Sequence, residues 1–90
     1  MEQSLLKLGF TKDTPQIFTK KVHNIEIQVY LYANKINLFV FNRESIIFNS
    51  CYVSKKECFA RIDKYLNVAN LAKKHDDFIK DHPNYCVTIN

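Results

Sequence analysis

The side chains able to do covalent or metal chemistry in this 90-residue chain are few and scattered. They are Cys51, Cys58 and Cys86, and His23, His75 and His82, with Asp76 and Asp77 beside the second histidine. Cys51, Cys58, His75, His82 and Cys86 would suffice for zinc by number. Their C-x6-C and H-x6-H spacings do not match structural zinc patterns, where the first pair lies roughly two to four residues apart. Nucleophilic catalysis needs a histidine near a cysteine to raise its thiolate fraction. The His75-Asp76-Asp77 run does not build a base–carboxylate dyad by itself, because adjacent helical residues do not face one another. A single glycine, Gly9, leaves no glycine-rich loop to cradle a phosphate. No catalytic residue, metal or cofactor is therefore expected, and the chain reads as something other than an enzyme.

What remains is non-covalent chemistry, carried by rings and by lysines. Ile25 to Ala33 alternates Ile25, Ile27, Val29, Leu31 and Ala33 with Glu26, Gln28, Tyr30 and Tyr32. That is the period of a strand. Ile36 to Asn42 repeats it, with Ile36, Leu38 and Val40 on one parity and Asn37, Phe39 and Phe41 on the other. An Asn34-Lys35 turn would pair Leu31 with Leu38, Val29 with Val40 and Tyr30 with Phe39, and each face then agrees with itself. One face is aliphatic. The other collects Tyr30, Tyr32, Phe39 and Phe41 with Gln28, Asn37 and Thr19. Rings gathered on one side of a single sheet must be covered by the N-terminal helix or the C-terminal segment, or else met by a partner. Aromatic clusters dominate protein interfaces and can also stack bases. A second copy of the chain is the simplest partner.

The elements that position these residues follow in order. Glu2 to Leu8 reads as a short helix with Leu5, Leu6 and Leu8 on its apolar side, ended by Gly9 with Phe10 folding back. Asp13-Thr14-Pro15 reads as a turn. Gln16 to Val22 reads as a strand whose His23-Asn24 turn sets Val22 against Ile25, Phe18 against Val29 and Lys21 against Glu26, an expected ion pair. After an Arg43-Glu44 turn, Ser45 to Val53 supplies another strand. Ser54-Lys55-Lys56-Glu57 is a capping box, with Val53 and Cys58 placed as a hydrophobic staple. Cys58, Phe59, Ile62, Leu66 and Ala69 then recur at helical spacing. Asn67 to Asn70 is a weak point in this helix, Leu71, Phe78 and Ile79 continue its stripe, and His82-Pro83 stops it. Tyr85 to Ile89 is a candidate final strand. The sum is one α+β domain over residues 1–90. It is an antiparallel meander of three to four strands, with a short N-terminal helix and a long C-terminal helical segment packed on one face.

Charge supplies the second candidate surface. Thirteen Lys and Arg against nine Asp and Glu give a net charge of +4. The excess concentrates in residues 50–75, where Lys55, Lys56, Arg61 and Lys64 offer a contact for nucleic acid or an acidic protein surface. A solvated helix face is the plainer account of the same residues. No apolar run approaches the roughly 20 residues of a membrane span, and Lys7 interrupts the apolar start, so neither a span nor a signal peptide is expected. Three cysteines without a pairing pattern suit a reducing cytoplasm.

Three resemblances bear on function. The short helix, the meander and the SKKE helix start resemble the double-stranded RNA-binding domain in outline. That implies a phosphate grip by Lys55 and Lys56, although the Gly-Pro turn and alanine-rich last helix of that family are absent. The opening Leu5-Leu6-Lys7-Leu8-Gly9-Phe10 resembles the start of HicA-type mRNA-interferase toxins. That would imply a ribonuclease dependent on His23 or His75, although the Gly-Ser-His stretch is missing and His23 stands between Val22 and Asn24. Small size, basic charge, an AT-rich residue bias (eleven Lys to two Arg) and absent catalytic motifs are similar in type to phage and mobile-element inhibitors of host defence nucleases, such as anti-CRISPR proteins. This last resemblance implies a non-catalytic binder of a host protein or ribonucleoprotein complex in the bacterial cytoplasm. RNA binding is the alternative, and a toxin-like ribonuclease the third reading.

Overall fold

Short turns between alternating runs leave the chain little choice but to fold back on itself repeatedly. The computed structural model, which describes residues 1–81, shows a helix α1 (Glu2–Lys7) and strands β1 (Thr11–Thr14), β2 (Ile17–Val22), β3 (Ile25–Tyr32), β4 (Lys35–Asn42) and β5 (Ser45–Tyr52). A long helix α2 (Lys55–Asp81) follows. The strands form one antiparallel sheet in the order β1-β2-β3-β4-β5. This is the expected α+β meander with one strand more than the three to four foreseen. The extra strand is β1. It lies partly within the Asp13-Thr14-Pro15 segment read as a turn, and all four of its residues are exposed, so it carries no alternation to recognise. The turn itself falls at Pro15-Gln16, where the Thr14 hydroxyl accepts the Gln16 and Ile17 backbone N–H groups at 3.3 and 3.1 Å.

The β2–β3 pairing is the one the His23-Asn24 turn dictates: Val22 opposite Ile25, Phe18 opposite Val29, Lys21 opposite Glu26. The expected Lys21–Glu26 ion pair does not form; the Glu26 carboxylate instead accepts the Gln28 amide at 2.9 Å. The β3–β4 register differs from expectation. The turn is Ala33-Asn34, one residue earlier than Asn34-Lys35, so Leu31 faces Ile36, Val29 faces Leu38 and Tyr30 faces Asn37. Moving a two-residue turn by one position slides the pairing by two residues, which leaves every side chain on its original face. Face patterning therefore does not distinguish the two registers. The observed one makes β3 and β4 flush and lets the Arg43 N–H reach the Asn24 carbonyl at 2.8 Å, tying neighbouring turns together. Asn34 is not at positive φ; among the described non-glycine residues that conformation belongs to His23 and Arg43.

The core lies between one face of the sheet and the two helices. Phe18, Ile27, Val29, Leu38 and Val40 from the sheet meet Leu5 of α1 and Cys58, Ile62 and Ala69 of α2. The end of α1 has a physical cause. Gly9 adopts φ +92°, a conformation costly for any residue with a Cβ. There the Gly9 N–H bonds the Leu6 carbonyl at 3.0 Å and the Phe10 N–H bonds the Leu5 carbonyl at 3.0 Å, while Phe10 buries its ring. Leu6, expected on the apolar side, is exposed.

Helix α2 opens as its capping sequence requires, with the Ser54 hydroxyl accepting the Glu57 N–H at 3.4 Å. Ser54→Ala is expected to lower stability by about 1 kcal/mol in urea titration, with the slope of the transition unchanged. The staple is absent: Val53 is 83% exposed while Cys58 points into the core. The helix also runs unbroken through Asn67–Asn70, because Leu66 and Ala69 pack on the sheet side while both asparagines stay in solvent. An asparagine in a helix costs less than about 1 kcal/mol, which that packing outweighs. Beyond Ala69 the helix leaves the core, and Leu71 and Ile79 are exposed. His23 Nε2 lies 2.6 Å from Asp76 Oδ2, linking this outer portion to the β2–β3 turn. The His82-Pro83 stop, the Tyr85–Ile89 strand and Cys86 fall outside the described residues. No helix among the described residues is long and apolar enough to cross a membrane.

Candidate functional site: an aromatic sheet face

Both helices sit on the aliphatic side of the sheet, so its other side is uncovered among the described residues. Leu5 of α1 belongs to the same buried cluster as Cys58 and Ile62 of α2. The N-terminal helix therefore does not shield the rings, which settles one of the alternatives left open by the sequence. The register places Ile17, Tyr30, Asn37 and Cys51 in one row across the open face. Thr19, Gln28, Phe39 and Asn49 form the next row, and Lys21, Glu26, Phe41 and Ile46 the one after.

Three of the four expected rings touch. Tyr30 and Phe39 meet edge to face with centroids 5.2 Å apart, and Phe39 and Phe41 stack at 6.5 Å. Tyr30 and Phe39 are diagonal neighbours, not the direct cross-strand pair expected, since Phe39 stands opposite Gln28. Long side chains bridge that diagonal readily. A polar relay fixes the cluster: the Tyr30 hydroxyl donates to Gln28 Oε1 at 3.0 Å, and the Gln28 amide donates to Glu26. All three rings are half-buried by one another and none is sealed. Tyr32 stands apart at the end of β3, 49% exposed, and lines a shallow hollow with Met1, Lys35, Val53 and Lys55. The sequence reading missed Ile46 and Ile47 of β5, 58% and 45% exposed. A bulge opposite Val40 and Phe41 breaks the alternation of β5, so no periodic signal marks them.

The basic residues do not join this face. Lys55 and Lys56 are exposed at the first turn of α2, where Lys55 borders the Tyr32 hollow, and Lys64 is exposed two turns later. Arg61 is half-buried, its guanidinium carbon 4.8 Å from the centre of the Phe48 ring. Arg61 and Lys64 border a groove between α2 and β5 together with Tyr52, Glu57 and Ala60. A flat partner on the Tyr30–Phe39–Phe41 cluster therefore does not reach the Arg61–Lys64 groove, whereas Lys55 shares the Tyr32 hollow.

The reactive side chains are also dispersed. Cys51 is exposed on β5 and Cys58 is fully buried in α2, where burial pushes its thiol up to about 11. His23 has Asp76 as partner, while the neighbouring His75 and Asp77 are exposed in α2. Among the described residues no three His, Cys, Asp or Glu side chains converge. A thiol reagent at pH 8 is expected to modify Cys51 rapidly and Cys58 only after denaturation, since the thiolate is the reacting form. Peptide mapping by mass spectrometry reads both sites, and equal labelling of Cys58 in the native chain would contradict its burial. Comparison with protein-family models, curated proteins and solved structures gave no match to this chain.

Proposed function

We propose that this chain is a non-catalytic protein-binding module that presents the Tyr30–Phe39–Phe41 face to another protein. Of the classes it resembles, an inhibitor that blocks a host nucleic-acid-targeting nuclease complex fits best. The observation that carries the reading is the position of the rings on the side of the sheet opposite both helices. Half-exposed aromatic clusters of this kind supply binding energy by desolvation and fit a protein surface better than a phosphate backbone. The relay from Tyr30 through Gln28 to Glu26 holds the cluster in one arrangement, which reduces the ordering cost of binding.

RNA or DNA binding draws on Lys55, Lys56, Arg61 and Lys64, which lie apart from the Tyr30–Phe39–Phe41 cluster. The two readings separate in one experiment. The tagged chain is used to capture partners from host cells, with and without nuclease, alongside a Tyr30→Thr/Phe39→Thr variant and a Lys55→Glu/Lys56→Glu variant. Capture that survives nuclease and the lysine changes but is lost with the rings supports the protein-binding reading. Capture that requires intact nucleic acid, weakens steeply with salt and is lost with the lysines overturns it in favour of nucleic-acid binding.

A further inference from the structure

The two margins of the sheet are built differently. β1, at one margin, has four residues, carries Lys12 and Asp13, and is bulged between Lys12 and Thr14. Lys12 pairs with Glu2 at 2.8 Å. Shortness, charge and a bulge are the usual means of stopping a strand edge from recruiting another. β5, at the other margin, is neither short nor charged. It runs eight residues, Ser45–Tyr52, without proline, and its outer side has no strand partner among the described residues. Its bulge falls near the start and leaves Phe48 to Tyr52 in regular pairing with β4. A strand of this length offers about 26 Å of N–H and C=O groups along that side. The first turns of α2 stay beside this border, since only Val53 and Ser54 separate the helix from β5 and Arg61 lies over Phe48. Between helix and strand runs the groove of Tyr52, Glu57, Arg61 and Lys64.

Arg61 and Lys64 are three residues apart and so share one flank of α2. Neither has a carboxylate at ion-pair distance among the described residues. Glu57 stands one turn before Arg61, but the Arg61 guanidinium lies over the Phe48 ring, 4.8 Å from its carbon to the ring centre, which holds it at the groove. Phe48 in turn packs on Tyr65 with centroids 5.5 Å apart. A guanidinium steadied by a ring and left without a counter-ion is prepared for an anion such as a carboxylate.

We propose that the β5 border and this groove form one site for an extended acidic peptide. The peptide adds to β5 as a further strand, and every second side chain, a carboxylate, turns up to Arg61 and Lys64. Same-face residues of a strand stand about 6.8 Å apart and Cβ atoms three residues apart on a helix about 5–6 Å, so carboxylates two positions apart reach both cations. The intervening side chains fall on the ring side of the sheet, where Ile46 is exposed at the border, so apolar residues suit them. Charge along the border agrees with an acidic occupant. Arg43 and Glu44 offset one another before the start of β5, whereas Lys55, Lys56, Arg61 and Lys64 outnumber Glu57 beyond its end. Asp63 lies on the other flank of α2, beside Ser4 and Lys7. A second copy of the chain supplies no such strand: no described strand carries more than one carboxylate side chain, and residues 82–90 contain no Asp or Glu. A nucleic acid would set its phosphates against the carbonyl groups of the border.

This site is separate from the ring cluster, so either can fail without the other. The probes are a fluorescent peptide of about ten residues alternating glutamate with valine or threonine, and the same peptide with glutamine for glutamate. Fluorescence anisotropy with the full chain is expected to show the glutamate peptide binding at least about tenfold tighter than the glutamine one. Arg61→Gln with Lys64→Gln should remove that preference, while Tyr30→Thr/Phe39→Thr leaves it intact. N-methylation of alternate peptide amides should abolish binding in one parity and spare it in the other, since only one set of N–H groups faces β5. Single-stranded RNA of similar length should not displace the glutamate peptide at equal concentration. Equal binding of the two peptides overturns the inference, as does no binding at about 1 mM peptide. So does indifference to both N-methylation patterns, or a preference for glutamate that survives in the Arg61/Lys64 variant. Displacement by the RNA would assign the groove to phosphate instead. The peptide arms change nothing in the chain, so they decide the matter even if the double variant fails to fold.

Discussion

Phe18→Ala is expected to lower the melting midpoint by roughly 15–35 °C. Phe18 is the largest fully buried side chain among the described residues. It sits mid-strand in β2 opposite Val29, in the cluster where the sheet meets both helices. Removing a buried phenylalanine ring costs about 3–5 kcal/mol, because the walls of the resulting cavity relax only in part. A chain of 90 residues has about 5–13 kcal/mol in total at the usual stability per residue. One truncation thus removes a large share of what holds the fold. Val53→Ala is the control: Val53 is 83% exposed, and its loss should move the midpoint by no more than a degree or two. A small shift for Phe18→Ala would mean that the helices are not seated on this face of the sheet as described.

The second large effect concerns the partner. Tyr30→Thr with Phe39→Thr is expected to weaken capture of the protein partner by about 30-fold or more, the loss of a hot spot worth about 2 kcal/mol. Threonine keeps the strand preference of both positions, so the sheet is retained while the rings disappear. Folding loses the edge-to-face contact between the two rings, about 0.5–1.5 kcal/mol, a modest change beside that of Phe18→Ala. Melting the variant beside the binding measurement separates the two effects. Unchanged affinity in a folded double variant would remove the rings from the interface and leave the lysines of α2 as the remaining surface.

How much of this was legible in the sequence depended on whether each choice left a periodic trace. Alternation in Ile25 to Ala33 and Ile36 to Asn42 assigned every ring to its face, and the structure keeps those faces. The same alternation is blind to a slide of two residues, so the Ala33-Asn34 turn could not be told from Asn34-Lys35 by patterning alone. β1 buries nothing and so left no apolar signal. Asn67 and Asn70 suggested a break because local preference speaks against them, whereas the packing of Leu66 and Ala69 decides, a contact made with residues distant in sequence.

 The separation of the lysines from the rings was likewise out of reach, since it depends on which side of the sheet α2 crosses. Residues of the site that the sequence did not offer, Ile46 and Ile47, sit at a bulge that only the paired strand reveals.

The unequal margins of the sheet also govern how far this chain can grow. A subunit with two receptive borders would add neighbours without limit and build a fibre. Here the border at Thr11–Thr14 is closed by Lys12, Asp13 and a kink, so among the described strands only the Ser45–Tyr52 border is left open to another strand. Crowding or overexpression should therefore yield a finite particle and not a filament. Lengthening the Thr11–Thr14 border or stripping it of charge would be the shortest route to turning this protein into a polymer.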